Sequence, residues 1–262
     1  MPEMNFTLPG LPDRTEKPRK NGLTMVMDKG LSLRQTLDLV SVCAEFTDIV
    51  KLGFGTSLIT KDLAKKLQLY KDADIKTYFG GTLFEAFYAR NMFDGYRKYM
   101  DKYKMEYVEV SDGSIQMEHD EKCELIGKLS KDYIVLSEVG SKEAGVIIHP
   151  NKWISMMNKE IEAGAWKVIA EARESGTVGI YRANGYAHVA LINKILNKVP
   201  GEKILWEAPQ KAQQAWFIDL IGANVNLGNI GPDDIIPLET LRLGLRGDTF
   251  TKFLPKEFKK EN

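Results

Sequence analysis

The chain has 262 residues, of which 44% are hydrophobic and 27% charged, the profile of an ordinary globular protein. Lys plus Arg and Asp plus Glu number 36 each, so the formal net charge is zero. That argues against a nucleic-acid or anionic-membrane partner, which leaves a basic excess, and no segment reaches the roughly 18 consecutive apolar residues of a membrane span.

Residues 1–21 read as an N-terminal arm: four prolines and many charges crowd the first twenty positions, and no apolar stretch suggests a signal peptide. The expected compartment is the cytoplasm. From residue 22 short apolar runs recur: LTMVM (23–27), DIVKLG (48–53), DIKTYF (74–79) and MEYVEV (105–110) in the first half, then DYIVLSEV (132–139), AWKVIAE (165–171), EKILWEA (202–208) and ANVNLG (223–228). Their near-continuous apolar character fits parallel strands buried on both faces.

Helix signals fill the gaps. Ser32 and Gln35 form a capping box ahead of Leu33, Leu37, Val40 and Ala44 at helical spacing. Thr82 and Glu85 look like a second box, opening a helix to about Met100. Residues 186–197 and 210–220 read as helices around the seventh strand, and Pro232 before Asp233 and Asp234 suits a helix start. Eight βα units predict a single-domain (β/α)8 TIM barrel over 22–250, somewhat atypical, with a basic tail at 251–262. A doubly wound open sheet is the alternative. No Walker A loop or GxGxxG fingerprint follows a strand, and Cys43 and Cys123 lack metal-cage spacing. His119, His149 and His188 are scattered and read as structural.

Barrel chemistry belongs at the C-terminal ends of the strands. Those exits carry Asp28 and Lys29, Lys51, Glu109 and Asp112, Glu138 and Lys142, Glu171 with Arg173 and Glu174, Glu207 and Lys211, and Asn226 and Asn229. Any one rim carboxylate serves a bracing ion pair as readily as catalysis. The set points to a site, because carboxylates gathered in one place need cations or a metal to offset them. Oxygen ligands without cysteine or paired histidine suit Mg2+ better than Zn2+. Lys51, Lys142, Arg173 and Lys211 would draw a small anionic ligand, and the eighth exit lies where barrels often hold phosphate.

The exit motifs, read together, resemble those of the phosphosulfolactate synthase family: DKG (28–30), KLGFGTS (51–57), GGTLFE (80–85), EVSDGS (109–114), EVGSK (138–142), EARESG (171–176), EAPQKAQQ (207–214), VNLGNI (225–230) and LETLRLGLRGDT (238–249). They fall in the family's order over residues 22–250. Ala172 stands where the family usually has glycine, and Gly228 where alanine is common. The resemblance implies an oligomeric, Mg2+-dependent barrel enzyme that adds sulfite to phosphoenolpyruvate, giving (2R)-phospho-3-sulfolactate through an enediolate-like intermediate. It also implies that Lys142, the lysine of EVG-x-K, delivers a proton to C2. Lys51, Arg173, Lys211 and Asn229 are then the candidates for holding substrate, and Asp28, Glu138 and Glu171 those for the metal. Two other readings stay open: a lysine-dependent aldolase acting on a small phosphorylated acid, and a non-catalytic, stress-associated barrel.

Overall fold

All eight apolar runs form parallel strands: β1 (Thr24–Asp28), β2 (Ile49–Leu52), β3 (Lys76–Phe79), β4 (Tyr107–Val110), β5 (Ile134–Val139), β6 (Ala165–Ala170), β7 (Ile204–Glu207) and β8 (Leu227–Ile230). The computed structural model describes residues 5–140 and 148–254. The hydrogen-bonded order is β3-β2-β1-β8-β7-β6-β5-β4, with β3 and β4 side by side and no ladder pair joining them. The result is a nearly closed (β/α)8 barrel. At the unladdered seam the Gly81 N–H donates to Glu109 Oε1 at 2.7 Å. A Cβ on Gly81 would overlap the Ser111 side chain, so only glycine permits that approach.

The helices alternate with the strands: α1 (Leu33–Cys43), α2 (Leu63–Asp72), α3 (Gly81–Tyr88), α4 (Phe93–Lys102), α5 (His119–Leu129), α6 (Pro150–Glu162), α7 (Val189–Leu196), α8 (Lys211–Ile221), α9 (Ile235–Arg242) and the short α10 (Phe250–Phe253). The Ser32–Gln35 capping box forms at the start of α1. Thr82 and Glu85 do not form theirs: Gly80 caps α3 without a side-chain bond, and the Glu85 carboxylate accepts from the Ser111 hydroxyl instead. The helix expected to reach Met100 breaks after Tyr88, where Asn91 turns into the left-handed region (φ 56°), and restarts as α4. The eighth strand also lies later than the apolar run suggested, at 227–230 rather than 223–228. That shift puts Asn229 on the strand itself.

Two apolar layers hold the barrel. Alternate residues of the strands point outward to the helices, where Val26, Val50, Val108, Val135, Val168 and Trp206 are fully buried. The intervening residues fill the barrel with Leu23, Met25, Ile49, Tyr78, Tyr107, Leu136, Ile169 and Leu205. Each such side chain, removed from water, contributes about 2 kcal/mol. This plug seals the lower barrel and confines any site to the upper end.

Residues from the arm close the lower end. The buried Arg14 guanidinium donates to both oxygens of Glu239 (2.8 and 3.2 Å) and to the carbonyls of Gly22 and Ala223. Arg242, fully buried beside it, donates to the carbonyls of Leu23, Ala223 and Val225. Arg14→Met removes one partner of a buried ion pair and should lower the unfolding free energy by about 2 kcal/mol. Denaturant midpoints of the two proteins check the value. Activity at temperatures where both are folded should be unchanged, since the ion pair lies at the opposite end from the strand exits.

Candidate active site

Directly above the plug the inward-facing positions become polar. Two residues on from Ile49, Tyr107, Leu136, Ile169 and Leu205 stand Lys51, Glu109, Glu138, Glu171 and Glu207, the period-two spacing that returns a strand to the same face. The register agrees: Lys51 pairs with Met27 on β1 and Tyr78 on β3. The acids are at most 3% exposed.

Lys51 lies among them. Its Nζ is 3.1 Å from Glu109 Oε2, 3.3 Å from Glu138 Oε2 and 3.6 Å from Glu207 Oε1. Burial by itself would push this ammonium down in pKa, but Glu109, Glu138 and Glu207 overcome it and hold Lys51 well above the usual lysine range. Glu207 feels the opposite balance. Burial raises its carboxyl, Lys51 pulls it back, Glu138 raises it again, and it is left at about 7 against an ordinary 4.5. Its Oε2 accepts from the Ala172 N–H at 2.9 Å. One oxygen from each of Glu138, Glu171 and Glu207 lies within 4.8 Å of the others.

These groups form the floor of a cavity of about 400 Å³ whose walls include Met27, Phe54, Gly81, Thr82, Ser114, Arg173 and Asn229. Asn229 is 6% exposed, and its Oδ1 has no hydrogen-bond partner among the described residues. Behind the floor, the Ser111 hydroxyl stands 2.5 Å from Glu85 Oε1 and 2.8 Å from Glu138 Oε1. Lys122, fully buried on α5, donates to Asp112 (2.9 Å) and to the main-chain carbonyl of Glu138, and pairs with Glu160 at 3.0 Å. It fixes the peptide from which Glu138 projects.

The structure therefore brings Lys51, Glu138, Glu171, Arg173 and Asn229 to one cavity. It does not bring Asp28 or Lys211 there. The Asp28 carboxylate is occupied by Lys66 at 2.6 Å, Tyr70 at 3.0 Å and the amides of Gly30 and Leu31 at 2.8 Å, which pin the turn after β1. Lys211 is half exposed on α8 and pairs with Asp248 at 2.9 Å. Lys142 lies outside the described residues. Glu85 joins the site unexpectedly, because its spacing from Thr82 imitates a helix cap. Glu109 and Glu207 stand at exits the sequence already marks, and what separates them from Asp28 is tertiary, since Lys66 and Tyr70 of α2 take the Asp28 carboxylate.

Four buried carboxylates, Glu109, Glu138, Glu171 and Glu207, line this cavity with one buried cation, Lys51, and the exposed Arg173 among the described residues. Taking such charges out of water is costly unless further cations meet them. The donors are hard oxygens in a cluster, so they fit a divalent cation that prefers oxygen ligands, and the missing partner on Asn229 adds a neutral oxygen beside them.

An upper-end cavity with an acidic floor on a (β/α)8 barrel defines a barrel enzyme that works on small molecules. A profile of the (2R)-phospho-3-sulfolactate synthase (ComA) family matches residues 12–248, and the chain belongs to that family, an enzyme family of the lyase class acting in the synthetic direction. The chain is 42% identical over 243 residues to the phosphosulfolactate synthase of Bacillus subtilis (strain 168), covering 92% of this chain and 96% of that one. To the phosphosulfolactate synthase of Methanothermobacter thermautotrophicus it is 41% identical over 247 residues, again covering 92% and 96%. Among solved structures, the YdjI aldolase of Escherichia coli K12 superposes with a TM-score of 0.55 at 10% identity, covering 82% of this chain and 76% of that one. The 3-hexulose-6-phosphate synthase of Salmonella typhimurium gives 0.53 at 14% identity, covering 86% and 100%. Both likenesses are to the barrel alone. No helix among the described residues is long and apolar enough to cross a membrane.

Glu207 gives the metal-free protein a pH dependence of defined sign. Its carboxyl in the folded state, at about 7, lies above the ordinary 4.5, so the folded protein holds a proton that the unfolded chain releases. Stability should therefore fall as pH rises from about 4.5 through about 7, by on the order of 3 kcal/mol from this group. Thermal melts in chelator across that window should show the fall in wild type and a flatter profile in Glu207→Gln.

Proposed function

We propose that this chain catalyses Mg2+-dependent addition of sulfite to C3 of phosphoenolpyruvate, giving (2R)-phospho-3-sulfolactate. The observation that carries the reading is an ammonium held charged by three carboxylates beside an acidic triad, in a cavity sized for a small anion. Family membership supplies the reaction class.

Glu138, Glu171 and Glu207 are the residues that would hold Mg2+. When bound, the ion supplies Lewis-acid stabilisation to negative charge building up on the substrate carboxylate. Sulfite is already a strong nucleophile, so no base need activate it, and neither histidine nor cysteine is among the described lining residues. As the sulfur–carbon bond forms at C3, the C2–C3 π pair moves to C2 and into the carboxylate, forming an enediolate-like species. Lys51, charged and preorganised, faces that developing charge without any change in its own protonation. Arg173 and Asn229 hold the phosphate, which stays on the product. A proton then reaches C2 from one face, which sets the R configuration. On the family resemblance its donor is Lys142.

A Schiff-base aldolase would need an amine of lowered pKa. Lys51 is shifted the other way. Burial does bring Lys167 down to about 8, but that lysine donates to the carbonyls of Lys20 and Glu202, away from the cavity. This supports the synthase reading over the aldolase.

Incubation with phosphoenolpyruvate, sulfite and Mg2+, with the product identified by mass spectrometry, is the direct test. Absence of phosphosulfolactate, under conditions where the B. subtilis relative forms it, would sink the proposal. Lys51→Met should lower kcat by about 10²–10³, and Lys142→Ala should also lower it strongly. Glu171→Gln should raise the Mg2+ concentration needed for half-maximal rate by about tenfold or more.

A further inference from the structure

The cavity is polar almost throughout, and its two apolar side chains among the described lining residues are Met27 and Phe54. Phe54 is the more unusual. It stands between Gly53 and Gly55 just after β2, half exposed at the mouth, with its backbone in the left-handed region at φ 56°. An L-residue with a Cβ resists that conformation, and a bulky aromatic has no local hydrogen bond to compensate, as an asparagine does. The turn that imposes it is well bonded: the Thr56 N–H donates to the Gly53 carbonyl at 3.0 Å, and the Leu58 N–H to that of Gly55 at 3.0 Å. Gly53 is itself fixed, since a Cβ there would overlap the Met27 sulfur. Strain of this kind on a lining residue points to function, because a glycine would relieve it.

Resting on the reading given under Proposed function, the geometry points to Phe54, with Met27, as the wall against which the methylene carbon of phosphoenolpyruvate lies, and to Phe54 as the residue that sets how large a substituent C3 can carry. An enol phosphate has a carboxylate and a phosphate that need polar partners, and a CH2 terminus that can take none. The acidic floor, Lys51 and the Arg173 side hold the charged ends, which leaves the methylene to the apolar side of the mouth. There it displaces no hydrogen-bonded group and faces incoming sulfite from the solvent side. A methyl group on C3 would project into the space the ring fills.

The test compares phosphoenolpyruvate with its 3-methyl homologue, in sulfite addition with product identification and in equilibrium binding by calorimetry with Mg2+. Wild type should favour phosphoenolpyruvate, and Phe54→Gly should narrow that preference in kcat/KM by about tenfold, the scale of one methyl group against a fitted apolar wall. Its thermal midpoint should stay within about 3 °C of wild type, since relief of the backbone strain offsets the modest packing of a half-exposed ring. Phe54→Leu, which keeps an apolar wall, should retain most of the preference. An unchanged ratio in a folded Phe54→Gly, or a wild type that uses both compounds equally, would overturn this inference and leave the synthase reading standing. A wild type that neither turns over nor binds either compound would overturn both.

Discussion

One buried ammonium organises the upper half of this barrel. Lys51 reaches across from β2 to carboxylates on β4, β5 and β7, so strands that share no ladder are tied through a single charge. Replacing such a cluster with well-packed apolar residues would stabilise most folds, because desolvation of each ion exceeds much of the attraction recovered. Its presence above a largely apolar plug is therefore a mark of chemistry rather than of stability. The floor is electrostatically unfinished without a ligand, and that incompleteness is what the cavity offers to a metal and an anion.

The surrounding residues limit the disorder such a floor would otherwise suffer. Lys122 holds the Glu138 peptide from behind, and Glu160 is kept ionised despite burial by Lys122, with His119 and Ser137 adding hydrogen bonds. Asp28 plays the matching part at β1, where four donors converge on one carboxylate and leave it little capacity for a ligand. Two acids at different exits of one barrel thus do opposite work. Glu138 is aimed at the cavity with its main chain braced, whereas Asp28 is consumed in bracing.

That contrast shows where the sequence is legible. Eight buried parallel strands leave eight apolar runs, because burial on both faces favours apolar side chains along a strand. Seven of the runs appear in the structure to within a residue or two at each end, while the eighth shifts to 227–230. The cluster of Lys51, Glu138 and Glu171 is legible for the same reason: a charge within a residue or two of the end of such a run stands near a rim. Which acid is free to act is a matter of partners from other elements, such as Lys66 and Tyr70 on α2, and no local pattern announces those. Glu85 shows the converse. Its spacing from Thr82 satisfies a helix-cap rule, yet a tertiary partner, Ser111 on the far side of the seam, takes its carboxylate. The break between α3 and α4 is equally hidden, since Asn91 in a run of helix formers gives little warning.

The clasp at the lower end carries a consequence for how the molecule is made. Arg14 is synthesised before every strand and its partner Glu239 after all of them; β1 likewise finds its second neighbour only in β8. A chain still emerging from the ribosome, in N- to C-terminal order, has its first seven strands in two separate ladders, β1–β3 and β4–β7, with the edges of β1 and β7 that β8 will join still bare. Closure of the hoop and docking of the arm come together, once residues beyond 239 are free. The plug and the charged floor draw side chains from both ladders, so they are completed in that same step.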